Sequence, residues 1–242
     1  MIIYVILFSL IAGSFAGVLV YRVPIKEKII FSRSRCDFCE HRIFFYNNIP
    51  ILSFIFQKGR CRYCNKKLDK TYFFLEIITF PIFLLLYKLY GLNTIFFYKS
   101  IILTLLLACS FIDIKTHIIP DRFYISILLI SFTYSVIENN PVNWYLGVAA
   151  FGLPLFLIYT LSDIFKKEFI GFGDIKLMCS IGGFFSYTKM ADIIYFYELL
   201  YLSAGLFCFF WVFFKKLDRK VYVAFAPFIS AAVILWEFRN VI

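Results

Sequence analysis

The feature that most narrows the fold of this 242-residue chain is a succession of eight apolar stretches with mostly short polar connections. They run over about 2–23, 72–89, 95–112, 123–137, 142–161, 175–186, 193–214 and 222–236. A helix rises about 1.5 Å per residue, so roughly 20 apolar residues cross the hydrocarbon of a bilayer. Most of the stretches approach that length; the fourth, 123–137, and the sixth, 175–186, are short, as is 222–236. With 62% of residues hydrophobic and 33 of them Phe, against roughly 45–50% apolar in a soluble domain, a water-soluble monomer of this size has no way to bury the excess. The expectation is an all-α polytopic membrane protein of about eight transmembrane helices, in contact with membrane lipid. The first stretch lacks a basic leader and a small-residue cleavage site, so it is read as a retained helix.

Charge supports that count. Basic residues collect in cytoplasmic loops, and an even number of spans returns the C-terminus to the side of the N-terminus. With both termini outside, 21 of the 25 Lys and Arg fall on inward segments. These are Arg22, eleven residues between Lys26 and Lys70, Lys115 and Arg122, then Lys166, Lys167 and Lys176, and finally Lys215, Lys216, Arg219 and Lys220. Lys88, Lys99, Lys189 and Arg239 fall on or near the other side. The net charge of +10 is therefore a topology signal, and nucleic acid is not an expected partner.

Three parts follow: a first helix (1–23), a cytoplasmic loop (24–71) and a membrane bundle (72–242). The loop is near the size at which a fold needs a metal or disulfides. It contains Cys36 and Cys39, then Cys61 and Cys64, two C-x-x-C pairs separated by 21 residues. Each such turn aims two thiolates at one point, and two turns make the closed tetrahedral set of a structural Zn2+ site resembling a zinc ribbon. A reducing cytoplasm disfavours disulfides. Four sulfur ligands leave no open position, so the metal organises the loop and does not catalyse. Cys109, Cys179 and Cys208 stand alone within spans and read as small packing residues.

Acids at span ends are costly and mark functional candidates. Asp113 ends the third span, Asp121 begins the fourth and Asp174 begins the sixth, so all three approach one membrane face. Helix N-capping suits Asp121 and Asp174. For Asp174 the flanking Gly171 and Gly173 also allow close approach to a partner helix or an extended substrate. An acid at a helix C-terminus meets the wrong end of the dipole, so Asp113 needs another reason to be there. Two carboxylates sharing a site give aspartic-protease chemistry, one activating water and the other donating a proton. With only His41 and His117 in the chain, neither a multi-histidine metal centre nor a Ser-His-Asp triad is well supported. His117 reads as a loop residue beside Asp113.

So assembled, the chain resembles the bacterial prepilin peptidases, also called type IV leader peptidases, which are GxGD aspartic proteases. The resemblance covers nearly the whole chain. It is carried by Gly13-Ser14-Phe15, Tyr21-Arg22-Val23-Pro24, the cysteine pairs flanking Asn48-Ile49-Pro50 and Gly59-Arg60, and Tyr72 to Glu76. Asp113 with Pro120-Asp121, Gly171-Phe172-Gly173-Asp174-Ile175-Lys176 and Ala224-Phe225-Ala226-Pro227-Phe228 complete it. It implies that Asp113 and Asp174 are the catalytic pair, with Asp121 and Lys176 in support. It implies cleavage of prepilins or pseudopilins after a short basic leader, between Gly and usually Phe, at the cytoplasmic face of the bacterial inner membrane. It also implies, in many members, N-methylation of the new terminus with S-adenosylmethionine, tied to the cysteine loop and to the glutamate matching Glu76. A plain alternative for Glu76 is an ion pair with Arg22 or a loop lysine.

The chain departs from the family pattern at Asp37 (often Pro), Gly17 (Asn), Phe73 (Pro) and Ala226 (Gly), away from the aspartates. Two other readings compete with it. One is a noncatalytic scaffold whose cysteine loop binds a cytoplasmic partner; the other is a presenilin-type protease, which carries Tyr-Asp where this chain has Ile112-Asp113.

Overall fold

The computed structural model describes residues 1–29, 35–36, 38–43, 49–166, 170–215 and 223–239, apart from the side chains at 163, 212, 214 and 215. Asp37, Asn48, Lys167, Lys216, Arg219, Lys220 and the start of the last apolar stretch at 222 lie outside the described residues. Among the described residues the secondary structure is helical, with two isolated β-bridges. The helices are α1 (Ile2–Arg22), α2 (Leu52–Phe56), α3 (Lys70–Tyr90), α4 (Thr94–Thr116), α5 (Asp121–Ile137), α6 (Pro141–Phe165), α7 (Phe172–Phe185), α8 (Met190–Lys215) and α9 (Ala226–Phe238).

Each of the eight apolar stretches is a helix, and α2 is an extra short turn in the cysteine loop. Five helices, α1, α3, α4, α6 and α8, are long and apolar enough to cross a membrane. The other three, α5, α7 and α9, have 17, 14 and 13 residues. The last helix starts four residues later than its apolar stretch, because Pro227 fits only the first turn, where its missing N–H costs nothing.

The chain divides into two compact units, Met1–Ala108 and Cys109–Ile242. In the first, α1 packs on α3 at two glycines: a Cβ at Gly13 would run into Thr79 and the Glu76 backbone, and one at Gly17 into the Tyr72 ring. Thr79 Oγ1 donates to Ser9 O (3.3 Å), or to Leu75 O in its own helix (2.9 Å). Phe8, Phe83 and Phe96 form a ring cluster with centroids 5.4–6.2 Å apart.

In the second unit the closest helix crossing joins α6 and α7. A Cβ on Gly147 would strike the Gly182 carbonyl, and one on Gly182 would strike the Gly147 carbonyl. Where apolar side chains gain little by leaving lipid for a neighbouring helix, such small-residue contacts let backbones pack closely. Phe151, Phe185, Phe196 and Trp236 fill the space beside it, with ring centroids 5.2–6.2 Å apart.

Candidate active site

Asp113 lies in the last turn of α4, which continues to Thr116, and is 5% exposed. Its Oδ2 accepts the backbone N–H of Ala226 at 3.0 Å, and the Phe225 backbone also interacts with the carboxylate. Ala226 is the first residue of α9. An acid at the unfavourable end of its own helix dipole thus sits at the favourable end of another, which supplies the reason the sequence left open. His117 lies close enough for its charge to act on Asp113, and its own backbone N–H closes the end of α4 on Asp113 O at 2.8 Å.

Asp174 is half-buried at the third position of α7, after Gly171 as N-cap. Its carboxylate reaches back toward the Gly171 N–H, half of a capping box. A Cβ on Gly171 would lie 3.1 Å from Asp174 Oδ2, and one on Gly173 would lie 3.3 Å from Ile119 Cβ. Gly171 therefore leaves the carboxylate room, while Gly173 seats α7 against the α4–α5 connection. The charge of Asp113 acts on Asp174, and the Cys109 thiol, one turn before Asp113, lies within reach of both.

Asp121 is the first residue of α5, and the N-cap position is held by Pro120. Asp121 pairs with Lys176 (3.0 Å), whose ammonium also lies 5.1 Å from the ring centroids of both Tyr124 and Phe172. This corrects the N-cap reading of Asp121: its side chain is aimed across to α7.

In the first unit the four Sγ atoms of Cys36, Cys39, Cys61 and Cys64 lie within 4.8 Å of one another, with Cys36 and Cys64 at 3.8 Å. A tetrahedron with Zn–S bonds of about 2.3 Å has edges of about 3.8 Å, so the donor set fits zinc. The two cysteine turns superpose in pattern, 25 positions apart. Cys36 N donates to His41 O and Glu40 N to Cys36 O, as Cys61 N does to Lys66 O and Asn65 N to Cys61 O. Arg35 bridges Arg42 as Arg60 bridges Lys67, and Glu40 and Asn65 share φ values of 54° and 55°. Such N–H-rich turns favour thiolates. Burial works against ionisation at Cys61, but the Cys64 and Tyr63 N–H groups and adjacent thiols outweigh it and bring its pKa down to about 7. Burial pushes Cys36 up to about 12.

Glu76 on α3 is 7% exposed and accepts the backbone N–H of Ile51 at 2.7 Å. Ile51 has φ 61° and ψ −55°, and Leu52 N donates to Pro50 O at 2.6 Å across it. That is a γ-turn of the rare strained kind, on a β-branched residue. A cavity of about 120 Å3 opens beside Glu76, and its walls include Arg22, Glu27, Arg35, Asp69 and Tyr72.

Comparison with known proteins bears on the whole chain. A model described as the bacterial peptidase A24 N-terminal domain matches residues 7–90, and one described as the type IV leader peptidase family matches residues 100–235. The chain belongs to the type IV leader peptidase family. Among its relatives are prepilin leader peptidase/N-methyltransferases of Vibrio cholerae, 28% identical over 98% of both chains, and of Bacillus subtilis, 32% identical over 95% of this chain and 90% of the relative. That of Pectobacterium carotovorum is 27% identical over 96% of this chain and 91% of its own. No solved structure matches.

Asp113, Asp174, Asp121, Lys176, Gly171 and Gly173 lie in the second unit, and Cys36, Cys39, Cys61, Cys64 and Glu76 in the first. Gly17 faces the Tyr72 ring, Phe73 stacks on Phe54 at 4.7 Å, and Ala226 is fully buried. Sequence reasoning missed the Ala226 N–H, the Ile51 turn and the α6–α7 glycines. Only Pro227, a helix-start signal just after Ala226, pointed to any of them.

Proposed function

We propose that this chain is an aspartic endopeptidase of the bacterial inner membrane that removes the leader of type IV prepilins or pseudopilins at the cytoplasmic face. The observation that carries this reading is that Asp113 of α4 and Asp174 of α7 both lie in the region matched by the leader peptidase family model, with Asp174 within reach of the Asp113 charge. In this mechanism one carboxylate takes a proton from water as its oxygen attacks the scissile carbonyl carbon. The other, protonated, gives its proton to the departing nitrogen as the C–N bond breaks, leaving a new carboxyl and a new amine. Asp121 and Lys176 support the pair: their bridge ties the start of α5 to α7 two residues after Asp174. Gly171 and Gly173 keep side chains out of that turn.

The basic residues concentrated on the inward segments support a cytoplasmic site with both termini outside. Helix ends at Arg22 and Lys70 support boundaries at 23 and 71 in the three-part division, while the compact units divide after Ala108, within its 72–242 bundle. Cys36, Cys39, Cys61 and Cys64 would hold Zn2+, which supplies cohesion to a small loop and no open coordination site.

The second activity in this reading is N-methylation of the new terminus, for which S-adenosylmethionine supplies the methyl group. The cavity beside Glu76 supports it, since walls bearing Glu27, Asp69, Arg22, Arg35 and Tyr72 match the ammonium, carboxylate and ring of such a donor. Co-expression with a prepilin and mass spectrometry of the mature N-terminus tests both activities. A cut after the leader with a methylated +1 residue is expected; an uncut prepilin refutes the peptidase, and a cut but unmethylated terminus refutes the transferase.

A further inference from the structure

The first turn of α9 has an unusual donor inventory. Pro227 has no N–H, and the N–H groups of Phe228 and Ile229 reach Phe225 O at 3.0 and 3.3 Å. Ala226 is left as the donor needing an outside acceptor, and Asp113 is that acceptor. The direction in which Ala226 points its N–H therefore helps set where the Asp113 carboxylate rests.

The other side of Ala226 is held as well. Ser110, one turn before Asp113 on α4, has its Oγ 3.1 Å from Ala226 O and 2.5 Å from Ser230 Oγ, and Ser230 lies one turn into α9. A hydroxyl has one proton to give. The arrangement that satisfies both contacts has Ser230 donating to Ser110 and Ser110 donating to Ala226 O. Two residues of α4 three apart thus grip residue 226 at both its peptide groups, Asp113 at the N–H and Ser110 at the carbonyl. Ser110 and Ser230 are 4% and 3% exposed, and their α9 neighbours facing inward are Ile229, Ala232 and Val233. Alanine would fill those places with no polar group to desolvate, so packing alone does not account for two buried hydroxyls.

We propose that Ser110 and Ser230 are positioning residues for Asp113: the Ser230–Ser110 hydroxyl pair fixes the Ala226 peptide, and that peptide aims the carboxylate. This rests on the reading of Asp113 as a catalytic residue. Neither serine touches the reacting atoms; both act through Ala226.

The test is steady-state cleavage of a purified prepilin by the detergent-solubilised full chain carrying Ser110→Ala, Ser230→Ala or both, with Asp113→Asn as control and thermal unfolding followed in parallel. Misplacing a catalytic group by about 1 Å can cost about 100-fold in rate, and a released peptide should shift less, so each serine variant is expected to lose about tenfold in kcat. KM and the unfolding midpoint should stay unchanged, and the double variant should be no slower than the slower single one, because the two hydroxyls act as one device. Wild-type kcat in all three serine variants beside an inactive Asp113→Asn overturns the proposal while leaving the peptidase reading intact. Losses that add in the double variant and follow the unfolding midpoint also overturn it, since they report packing. Cleavage by Asp113→Asn would instead overturn the reading beneath it.

Discussion

Asp113 has two separable roles, and two substitutions separate them. Its carboxylate is nearly buried and accepts the Ala226 N–H at 3.0 Å, at the start of a helix whose second residue is Pro227. Asn keeps an oxygen acceptor of the same reach but removes the ionisable group. Ala removes both and strands a buried donor. A stranded buried donor costs about 1–3 kcal/mol, whereas exchanging one acceptor for another costs little of that. Asp113→Asn is therefore expected to abolish prepilin cleavage with nearly normal stability, and Asp113→Ala to abolish cleavage and lose about 1–3 kcal/mol as well. Cleavage is read by mass spectrometry of a co-expressed prepilin, and stability by thermal unfolding of the purified protein with protease sensitivity at the start of α9. Cleavage at the normal rate by Asp113→Asn would refute the catalytic assignment. Equal stability of the two variants would refute the claim that Asp113 anchors α9.

Further outcomes can be checked separately. Metal analysis should find one zinc per chain, lost on Cys36→Ser, with chelation exposing the 24–71 loop to protease before the membrane helices; a stoichiometric protein without metal counts against the site. Because a thiolate must replace each thiol, and Cys61 ionises near 7 when its ordinary value is 9.0, uptake of Co2+ followed by its absorbance should weaken as pH falls through about 7. Gly182→Ala should force α6 and α7 apart, since its Cβ would meet the Gly147 carbonyl, at a cost of about 1–3 kcal/mol in unfolding; an unchanged midpoint would show the crossing to be loose. Glu76→Gln retains an acceptor for Ile51 and should leave the strained turn in place, whereas Glu76→Leu should raise amide exchange across 49–57; equal exchange in both would deny that Glu76 holds the turn.

Much of the candidate site was legible in the sequence because its signals are local. A C-x-x-C turn places two sulfurs wherever it folds, and G-x-G-D places a carboxylate in the first turn of a helix. The 25-position correspondence between the two cysteine turns was legible only in part, in Arg35-Cys36 with Arg60-Cys61 and Phe38-Cys39 with Tyr63-Cys64. The rest lies in backbone hydrogen bonds and φ values, at positions that pair Glu40 with Asn65 and His41 with Lys66. Asp121 was misjudged for a related reason: composition places an acid at a helix start, but only packing shows that the helix opens on Pro120 and that the acid turns to Lys176.

What the sequence determined by itself is the helical membrane class, the segment order, the cysteine tetrad and the acids available for chemistry, because span length, charge bias and short motifs are properties of neighbouring residues. What only the tertiary structure decided is which faces meet: Ala226 on Asp113, 113 residues apart, Ser230 on Ser110, and Gly182 on Gly147. In a soluble helix an apolar stripe marks the inward face. In a membrane helix leucine suits lipid and protein neighbours alike, so inwardness is written only in scattered small and polar residues, whose partners appear once the helices have packed.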